Sequence, residues 1–292
     1  MRKHTYIYRT AGQCDIRADV YTADEGRPRP VLVWIHGGAL IGGSRGNLVP
    51  NQRDRYLDAG FTIVSIDYRL APETKLPAII EDLRDSFRWI REAGPELFHA
   101  DPARLAAVGH SAGGYLTLMS GFCVEPRPNA LVSFYGYGDI AAAWYSQPDP
   151  FYCRQPLVPP EEARRAVGQA CISDDSGNRE RWRFYLYCRQ RGLWPREVSG
   201  FDPDTEPGAF IPFCPVRNIT PDYPPTLLLH GDNDTDVPYE QSVIMAEGLA
   251  SAGVEHEFIT IRGGGHGFDG SGSPEASAAF ERVPAFLRAH LR

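Results

Sequence analysis

The stretch Leu105-Ala-Ala-Val-Gly-His-Ser-Ala-Gly113 passes from a short apolar run, through a serine flanked by glycines, into a segment with helical character. Its last five residues match the pattern G-x-S-x-G. Between a strand and a helix, this pattern predicts a sharp turn that exposes the serine hydroxyl at the helix N-terminus. Side chains at Gly109 or Gly113 would collide with the neighbouring strand and helix. Ser111 is therefore a candidate nucleophile, and the alternative is a glycine-rich turn with an incidental serine.

Similar short apolar runs recur along the chain between turn signals. Several of them lack polar alternation, which is typical of strands that helices cover on both faces of a parallel sheet. Segments with helical spacing separate them, and this alternation predicts an α/β protein with a doubly wound, mostly parallel sheet of eight strands. The predicted strands are 31–35, 61–66, 105–108, 130–134, 226–229 and 257–261, preceded by an antiparallel pair near Tyr6 and at 16–21.

Four helices are predicted between these strands and after the last one. The first has Pro77 near its start, and we expect it to stop at Gly94-Pro95. The other three cover residues 112–122, 239–252 and 274–291.

The strand and helix rhythm breaks between residues 139 and 220. Proline, tryptophan, tyrosine and arginine abound there, and the helical stretches 161–169 and 179–191 have no strand between them. A structureless loop of this length is uncommon in a compact domain. We therefore expect an inserted helical cap at 139–220, on a catalytic domain formed by 1–138 and 221–292.

A serine becomes a good nucleophile only when a neighbouring base takes its proton. Of the eight histidines, His266 is the candidate base, because it lies in Gly263-Gly-Gly-His-Gly267 directly after the last predicted strand. A bare loop at that edge of the sheet lets the ring reach the serine. The alternative is a histidine exposed on a surface loop.

The base in turn needs a carboxylate that fixes its tautomer and stabilises its charged form. Asp232, Asp234 and Asp236 follow the strand predicted before the last one. Their spacing from the dipeptides His230-Gly231 and Val237-Pro238 favours Asp234 as the third member of a triad.

Acyl transfer also needs backbone amides that stabilise a negatively charged oxygen. The stretch His36-Gly-Gly-Ala39 follows a predicted strand, and its glycines let the backbone approach a substrate. We expect the amides of Gly37 and Gly38 to form an oxyanion hole with that of Ala112, the residue after the serine. A plain glycine turn is the alternative.

Aromatic side chains near these motifs are candidates for substrate binding. Trp144 and Tyr145 lie in the predicted cap, and Phe268 follows the candidate base. We expect the aromatic residues of the cap to roof the pocket, which would suit an apolar or aromatic acyl or alcohol group. They are Trp144, Tyr145, Phe151, Tyr152, Trp182, Phe184, Tyr185 and Trp194. The alternative is that these rings form the core of the cap itself.

Composition and charge exclude several other classes of protein. The net charge of −7 argues against nucleic acid as a partner, because binding to phosphates depends on clustered lysine and arginine. No apolar run approaches the length of a membrane span, and the first residues do not form an export signal. We therefore expect a cytoplasmic protein without a membrane span.

Neither metals nor disulfides are predicted. The six cysteines show no C-x-x-C spacing, so we expect reduced thiols and no zinc site. One disulfide within the group Cys153, Cys171 and Cys188 is the lesser alternative. The alternating aspartates at 232–236 resemble the start of a calcium-binding loop, but Val237 and Val243 occupy the places of its required Gly and Glu.

Taken together, the motifs resemble those of esterases and lipases in the hormone-sensitive-lipase-like branch of the α/β-hydrolases. The matching segments are His36-Gly-Gly38, Asp67-Tyr-Arg-Leu-Ala-Pro-Glu73, Gly109-His-Ser-Ala-Gly-Gly114, His230-Gly-x-x-Asp234-x-x-Val-Pro238 and His266-Gly-Phe268. The resemblance implies an α/β-hydrolase fold, hydrolysis of a small-molecule carboxylic ester and no cofactor. It also implies the roles assigned above to Ser111, Asp234 and His266, whose order along the chain is the one that this fold uses.

The chain departs from that branch in two places. His110 stands where the branch usually has Asp, and the cap lies between the sixth strand and the aspartate loop. Aryl formamidases and carbohydrate-ester deacetylases resemble the same frame, although Leu40 stands at or beside a Trp of the formamidase motif. A peptidase and a non-catalytic ligand-binding protein on the same fold are further alternatives. Monomer and homodimer both remain open.

Overall fold

The computed structural model describes residues 1–23, 26–175 and 177–292. Its centre is an eight-stranded sheet with the strand order β1-β2-β4-β3-β5-β6-β7-β8. The first two strands run antiparallel to their neighbours and the other six are parallel to one another, which confirms the predicted fold. The strands are β1 (Arg2–Ala11), β2 (Cys14–Thr22), β3 (Arg29–Ile35), β4 (Thr62–Ile66), β5 (Ala100–His110), β6 (Ala130–Phe134), β7 (Thr226–Gly231) and β8 (His256–Ile261).

The sheet separates two apolar layers. Successive side chains of a strand point to opposite faces, and in β3 Val33 packs into one layer while Leu32 packs into the other. β4 and β6 are buried along their whole length, which explains why their sequences show no polar alternation. Fully burying each valine, leucine, isoleucine or phenylalanine side chain of these strands contributes about 1.5–3 kcal/mol.

Helices cover both faces of the sheet. α2 (Leu76–Phe98), α3 (Ala112–Cys123) and α8 (Glu240–Ser251) pack into one layer, whereas α1 (Pro50–Asp58) and α9 (Pro274–His290) pack into the other. α1 is absent from the sequence-based prediction, because it is largely polar and buries only Gln52, Tyr56 and Leu57. None of the described helices combines the length and hydrophobicity that a membrane crossing requires.

The predicted stop of α2 at Gly94-Pro95 is wrong. The helix continues to Phe98 and ends at His99, which has the left-handed φ of 55° and donates its backbone N–H to the Gly94 carbonyl. Pro95 lies in the last turn, where it costs only one backbone hydrogen bond. Phe98 is buried against Trp89, and the missing side chain of Gly94 leaves room for the Phe98 ring. Burial of this ring keeps the last turn helical.

Residues 139–220, which we call the insert segment, contain short helices and no strand among the described residues. Helix formation in the two predicted stretches is observed, with shorter bounds than expected. The helices are α4 (Ala143–Ser146), α5 (Pro160–Arg165), α6 (Arg181–Arg191) and α7 (Trp194–Ser199), joined by 3-10 turns at Tyr152–Arg154, Pro207–Phe213 and Pro215–Arg217. All six cysteines of the chain are free thiols.

Candidate active site

Ser111 lies at the turn between β5 and α3. Its backbone has φ 55° and ψ −120°, a conformation that costs free energy for any residue with a side chain. The strain is held in place because the Ser111 amide donates to the Phe134 carbonyl at 2.9 Å. A Cβ atom at Gly109 would overlap the Gly113 carbonyl, and one at Gly113 would overlap the Ile35 carbonyl. Both glycines are therefore required by the close approach of the strand and the helix.

His266 lies in the loop after β8 and contacts both predicted partners. Its Nε2 is 3.1 Å from the Ser111 hydroxyl oxygen. Its Nδ1 is 2.8 Å from Asp234 Oδ2. An ionised carboxylate only accepts hydrogen bonds, so these partners assign the proton to Nδ1 and leave Nε2 to accept from the serine. The edge of the Tyr135 ring packs on the imidazole with 4.6 Å between ring centroids.

Asp234 is the aspartate that the structure brings to the histidine, and its side chain has no exposed surface. Its Oδ1 accepts from the backbone amides of Asp236 at 2.8 Å and Val237 at 3.0 Å. Burial alone would raise the pKa of Asp234, but hydrogen bonds from His230 and His266 outweigh it and hold that pKa well below its ordinary value. The carboxylate therefore stays ionised at neutral pH.

The other two aspartates of the loop have different surroundings. Asp232 is exposed and accepts from the Gly263 amide at 2.5 Å. Asp236, which spacing disfavours as the triad member, nevertheless places Oδ2 at 3.5 Å from His266 Nε2. Two carboxylates thus face the same imidazole, one at each nitrogen.

His230 is a second histidine that the sequence indicates only as structural. Its Nε2 lies 3.1 Å from the Val237 carbonyl and 3.2 Å from Asp234 Oδ2. Its Nδ1 lies 2.7 Å from the Ser242 hydroxyl. His230 and His266 therefore both contact the same oxygen of Asp234, and His230 helps to fix the position of this carboxylate.

The surroundings of His266 favour its charged form. Burial lowers the pKa of His266. The neighbouring carboxylates Asp234, Asp236 and Asp269 raise it by more than burial lowers it, so the pKa lies above its ordinary value. A base with a raised pKa holds a proton more readily once it has accepted one.

Gly37 lies directly beside the serine, and Gly38 follows it in the loop after β3. A Cβ atom at Gly37 would lie 2.8 Å from the His110 carbonyl oxygen and 3.3 Å from Ser111 Cβ. Gly38 has a φ of +106°, and its carbonyl accepts from the amides of Ile41 and Gly42. These two bonds close a tight loop that only glycine can form at this position.

The amides of Gly37, Gly38 and Ala112 form no hydrogen bond to another residue in the described part of the chain. Amides free of internal partners are available to a ligand. His36, just before them, is buried and stacks on Tyr68 at a centroid distance of 4.2 Å. Burial lowers the pKa of His36 to about 4, so this ring is neutral and supports the loop.

His110, the departure from the branch motif, lies behind the site. Its ring stacks on Phe134 with 4.4 Å between centroids, and burial lowers its pKa. Its Nε2 lies 3.2 Å from Gln52 Nε2, and the Gln52 amide donates to Asp269 at 2.9 Å. Asp269 also accepts from the Tyr135 hydroxyl. The sequence analysis missed Gln52, Tyr135 and Asp269, which lie on three different segments with no shared motif.

A cavity of about 530 Å³ opens beside the glycine loop. One wall is the loop itself and the opposite wall is α6 and the residues before it. The lining residues are Gly37, Gly38, Ile41, Gly42, Gly43, Asn47, Asp175, Asn178, Arg179, Arg181, Trp182 and Tyr185.

The three aromatic residues proposed for substrate binding are not part of this lining. Trp144 stacks on Tyr145 at 3.6 Å, and Tyr145 stacks on the buried Trp194 at 4.0 Å. Phe268 is buried and meets the Tyr135 ring edge-on at 5.4 Å. These rings pack against other aromatic side chains, so they do not face the cavity. Two other aromatic residues of the predicted cap, Trp182 and Tyr185, do line the cavity.

Comparison with known proteins places this geometry in a family. Residues 32–270 match the family described as alpha/beta hydrolase fold. The whole chain is 28% identical to a segment of the non-reducing polyketide synthase adrD of Penicillium rubens, and it spans 14% of that synthase.

Two solved structures share the architecture. A Staphylococcus aureus protein of unknown function superposes with a TM-score of 0.79 at 24% identity, over 100% of both chains. A propionate-bound thermophilic esterase of Thermogutta terrifontis superposes with a TM-score of 0.69 at 22% identity, over 98% of this chain and 94% of the esterase. These likenesses agree with the sheet order and with the family match. The chain belongs to the alpha/beta hydrolase fold family, and most of its motifs match the hormone-sensitive-lipase-like branch, from which it departs at His110.

Proposed function

We propose that the protein is a serine hydrolase that cleaves carboxylic esters of small molecules through an acyl-enzyme. The observation that carries the proposal is the continuous chain of contacts from Ser111 Oγ to His266 Nε2 at 3.1 Å, and from His266 Nδ1 to Asp234 at 2.8 Å. The strained turn that exposes the serine supports it, as does the esterase among the structural neighbours.

The first half of the reaction forms the acyl-enzyme. Ser111 Oγ attacks the ester carbonyl carbon while His266 Nε2 takes the hydroxyl proton. Asp234, ionised and buried, stabilises the imidazolium through Nδ1. The carbonyl oxygen becomes an oxyanion that the amides of Gly37, Gly38 and Ala112 stabilise. Collapse of the tetrahedral intermediate breaks the bond to the alcohol oxygen, which leaves with the proton from Nε2.

The second half releases the acid. A water molecule gives one proton to Nε2, and its oxygen attacks the acyl carbon bound to Ser111. Collapse breaks the bond between that carbon and Oγ, and the proton on Nε2 returns to the serine oxygen. The carboxylic acid is released and the enzyme regains its starting state, so no cofactor is consumed.

We place the substrate in the cavity between the glycine loop and α6. Gly37 lies beside Ser111 and also lines the cavity. If the ester carbonyl is held at the backbone amides, the rest of the substrate would therefore extend into the cavity. The insert segment then acts as a cap on a catalytic domain formed by 1–138 and 221–292. Trp182 and Tyr185 supply aromatic surface, and Asn47 and Asn178 supply polar groups, a combination suited to a small ester with an aromatic or polar group.

One substrate screen tests the proposal. Hydrolysis of p-nitrophenyl esters with graded acyl chains is measured beside N-formylkynurenine and acetylated sugars, for the wild type and for Ser111→Ala. We expect saturable hydrolysis of at least one ester class by the wild type and none by the variant above the rate without enzyme. Absence of turnover on every substrate, with tight ligand binding, would favour a binding protein on this fold.

A further inference from the structure

Asp236 lies between the site and the insert segment. Its Oδ2 is 3.5 Å from His266 Nε2. Its Oδ1 accepts from the Tyr185 hydroxyl at 2.5 Å and from Arg189 Nη1 at 2.7 Å. The Asp236 carbonyl also accepts from Arg189, and its amide donates to Asp234. Asp236 therefore contacts the candidate base His266, the triad carboxylate Asp234 and the insert segment.

Arg189 is held rigidly. Its side chain has no exposed surface, and its Nη2 pairs with Asp149 at 2.5 Å. Removing one partner of such a buried pair leaves an uncompensated charge at high cost. Four rings lie 4.8–5.7 Å from the guanidinium carbon, those of Trp144, Tyr145, Tyr152 and Tyr185. Because a guanidinium does not lose its proton, Arg189 gives Asp236 a permanent positive partner that fixes the carboxylate, with the second oxygen turned towards the imidazole.

The other groups around His266 act from other directions. Among the described residues, the titratable side chains that act on its ring include Asp234, Asp236, Asp269, His110 and Tyr135. Asp234 bonds to Nδ1, while Asp269 accepts hydrogen bonds from Gln52 and Tyr135. Asp236 is the carboxylate of this group that faces Nε2 and is bonded to the insert segment.

We propose that Asp236 is a positioning residue through which the insert segment stabilises the protonated form of His266 during ester cleavage. This inference rests on the proposed function, in which Nε2 takes the Ser111 proton. A carboxylate 3.5 Å from Nε2 favours the imidazolium that forms at that moment. Since Arg189 orients the carboxylate before the reaction begins, no rearrangement is needed when the charge develops. The aromatic cluster around Arg189 thus acts on the chemistry through the Asp236 carboxylate.

The test is the pH dependence of kcat/KM for Asp236→Asn, measured on the best ester of the screen. The amide keeps the shape and still accepts hydrogen bonds from Tyr185 and Arg189, but it removes the charge. We expect the acid limb of the profile to move down by about 1 pH unit, because His266 loses a favourable charge. On the plateau, kcat falls about tenfold with little change in KM. The His266 imidazole resonances, titrated by NMR, should show the same downward shift.

Three further variants complete the design. Asp232→Asn removes a carboxylate from the same loop that does not contact the imidazole, so its acid limb should not move. Asp236→Glu restores the charge and should return the limb towards its wild-type position. If Asp236→Asn does not fold, Asp236→Ser carries the same test, because it leaves room for water beside Arg189.

The outcomes separate this inference from the proposed function. If the wild type hydrolyses esters through Ser111 and neither neutral Asp236 variant shifts the acid limb or the NMR titration, the role of Asp236 is refuted alone. If the wild type hydrolyses no ester, the proposed function fails first. An equal shift in Asp232→Asn would contradict the inference as well, because it would show a general effect of loop charge.

Discussion

The sheet and the insert segment place their functional groups by different means. In the sheet, apolar strands lead into turns that depend on glycine, as at Gly38 after β3 and at Gly113 in the first turn of α3. In the insert segment, two arginines, Arg181 and Arg189, are nearly or fully buried and bond to carboxylates outside the segment. Backbone sterics therefore determine the position of the nucleophile, whereas buried charge attaches the segment that faces it. The two regions should respond differently to substitution.

The largest expected effect is the loss of the nucleophile. Ser111→Ala removes one oxygen from a turn whose shape depends on glycines and backbone bonds, so the fold should be retained. We expect kcat for the best ester to fall on the order of 10⁶-fold, as in another serine hydrolase triad. Thermal unfolding of the variant should match the wild type. A variant that folds and retains most of its activity would contradict the role of this serine.

Breaking a buried ion pair should weaken the attachment of the insert segment. Arg181 bonds to Glu73 and to the carbonyls of Ile41 and Ala71, and the Glu73 side chain is 1% exposed. Glu73→Gln removes one charge and leaves the other buried, so we expect a loss of about 3–5 kcal/mol in unfolding free energy. Urea denaturation measures this loss.

Limited proteolysis should then show new cleavage within residues 139–220 of Glu73→Gln before the sheet is cut. Glu92→Gln, at an exposed position of α2, is the matched control. It should change the unfolding free energy by less than about 0.5 kcal/mol. Equal stability of the two variants would show that charge does not attach the segment.

The contact between the sheet and α3 should instead be sensitive to a single methyl group. In Gly113→Ala the added carbon would overlap the carbonyls of Ile35 and His36, which are backbone atoms that cannot move aside. We expect a loss of about 1–3 kcal/mol or more, detected as a lower melting temperature. Gly208→Ala, in the insert segment, meets no atom within 4 Å and should be close to neutral. A neutral Gly113→Ala would contradict the backbone packing described for the turn.

The smallest expected effect is a displacement of the pH profile. The carboxylates around His266 raise its pKa, and only the neutral imidazole accepts the serine proton. Activity should therefore fall as pH drops through a value above the ordinary histidine pKa of about 6.5. The midpoint of the acid limb in kcat/KM, measured from about pH 5 to about pH 9, tests this sign. A midpoint below the ordinary value would mean that burial outweighs the carboxylates.

Local patterns were sufficient to predict the sheet, because buried strands appear in the sequence as short apolar runs and the turns after them contain glycines. The same holds for Ser111, His266 and Asp234, whose predicted positions the structure brings together within hydrogen-bond distance. The predicted end of α2 was wrong, because the burial of Phe98 stabilises the last turn by more than Pro95 destabilises it. Helix α1 left no apolar pattern to detect.

The surroundings of the base could not be predicted from local patterns. Spacing along the chain favoured Asp234 and gave no sign that Asp236 also contacts the base. The contact of Asp236 with His266 depends on how the loop folds against Arg189, which local spacing does not reveal. Asp269 reaches the site through Gln52 and Tyr135, which come from distant segments. The aromatic residues of the insert segment are alike in sequence, and only the packing separates buried Tyr145 from cavity-lining Trp182.

The central claim is that Ser111 forms a covalent bond to the acyl group. Reaction with a fluorophosphonate, followed by intact mass measurement and peptide mapping, tests it most directly, because the phosphorus takes the place of the ester carbonyl carbon. We predict one adduct per chain, located on Ser111 and absent from Ser111→Ala. An adduct on another residue, or ester hydrolysis by a wild-type protein that forms no adduct, would contradict the account.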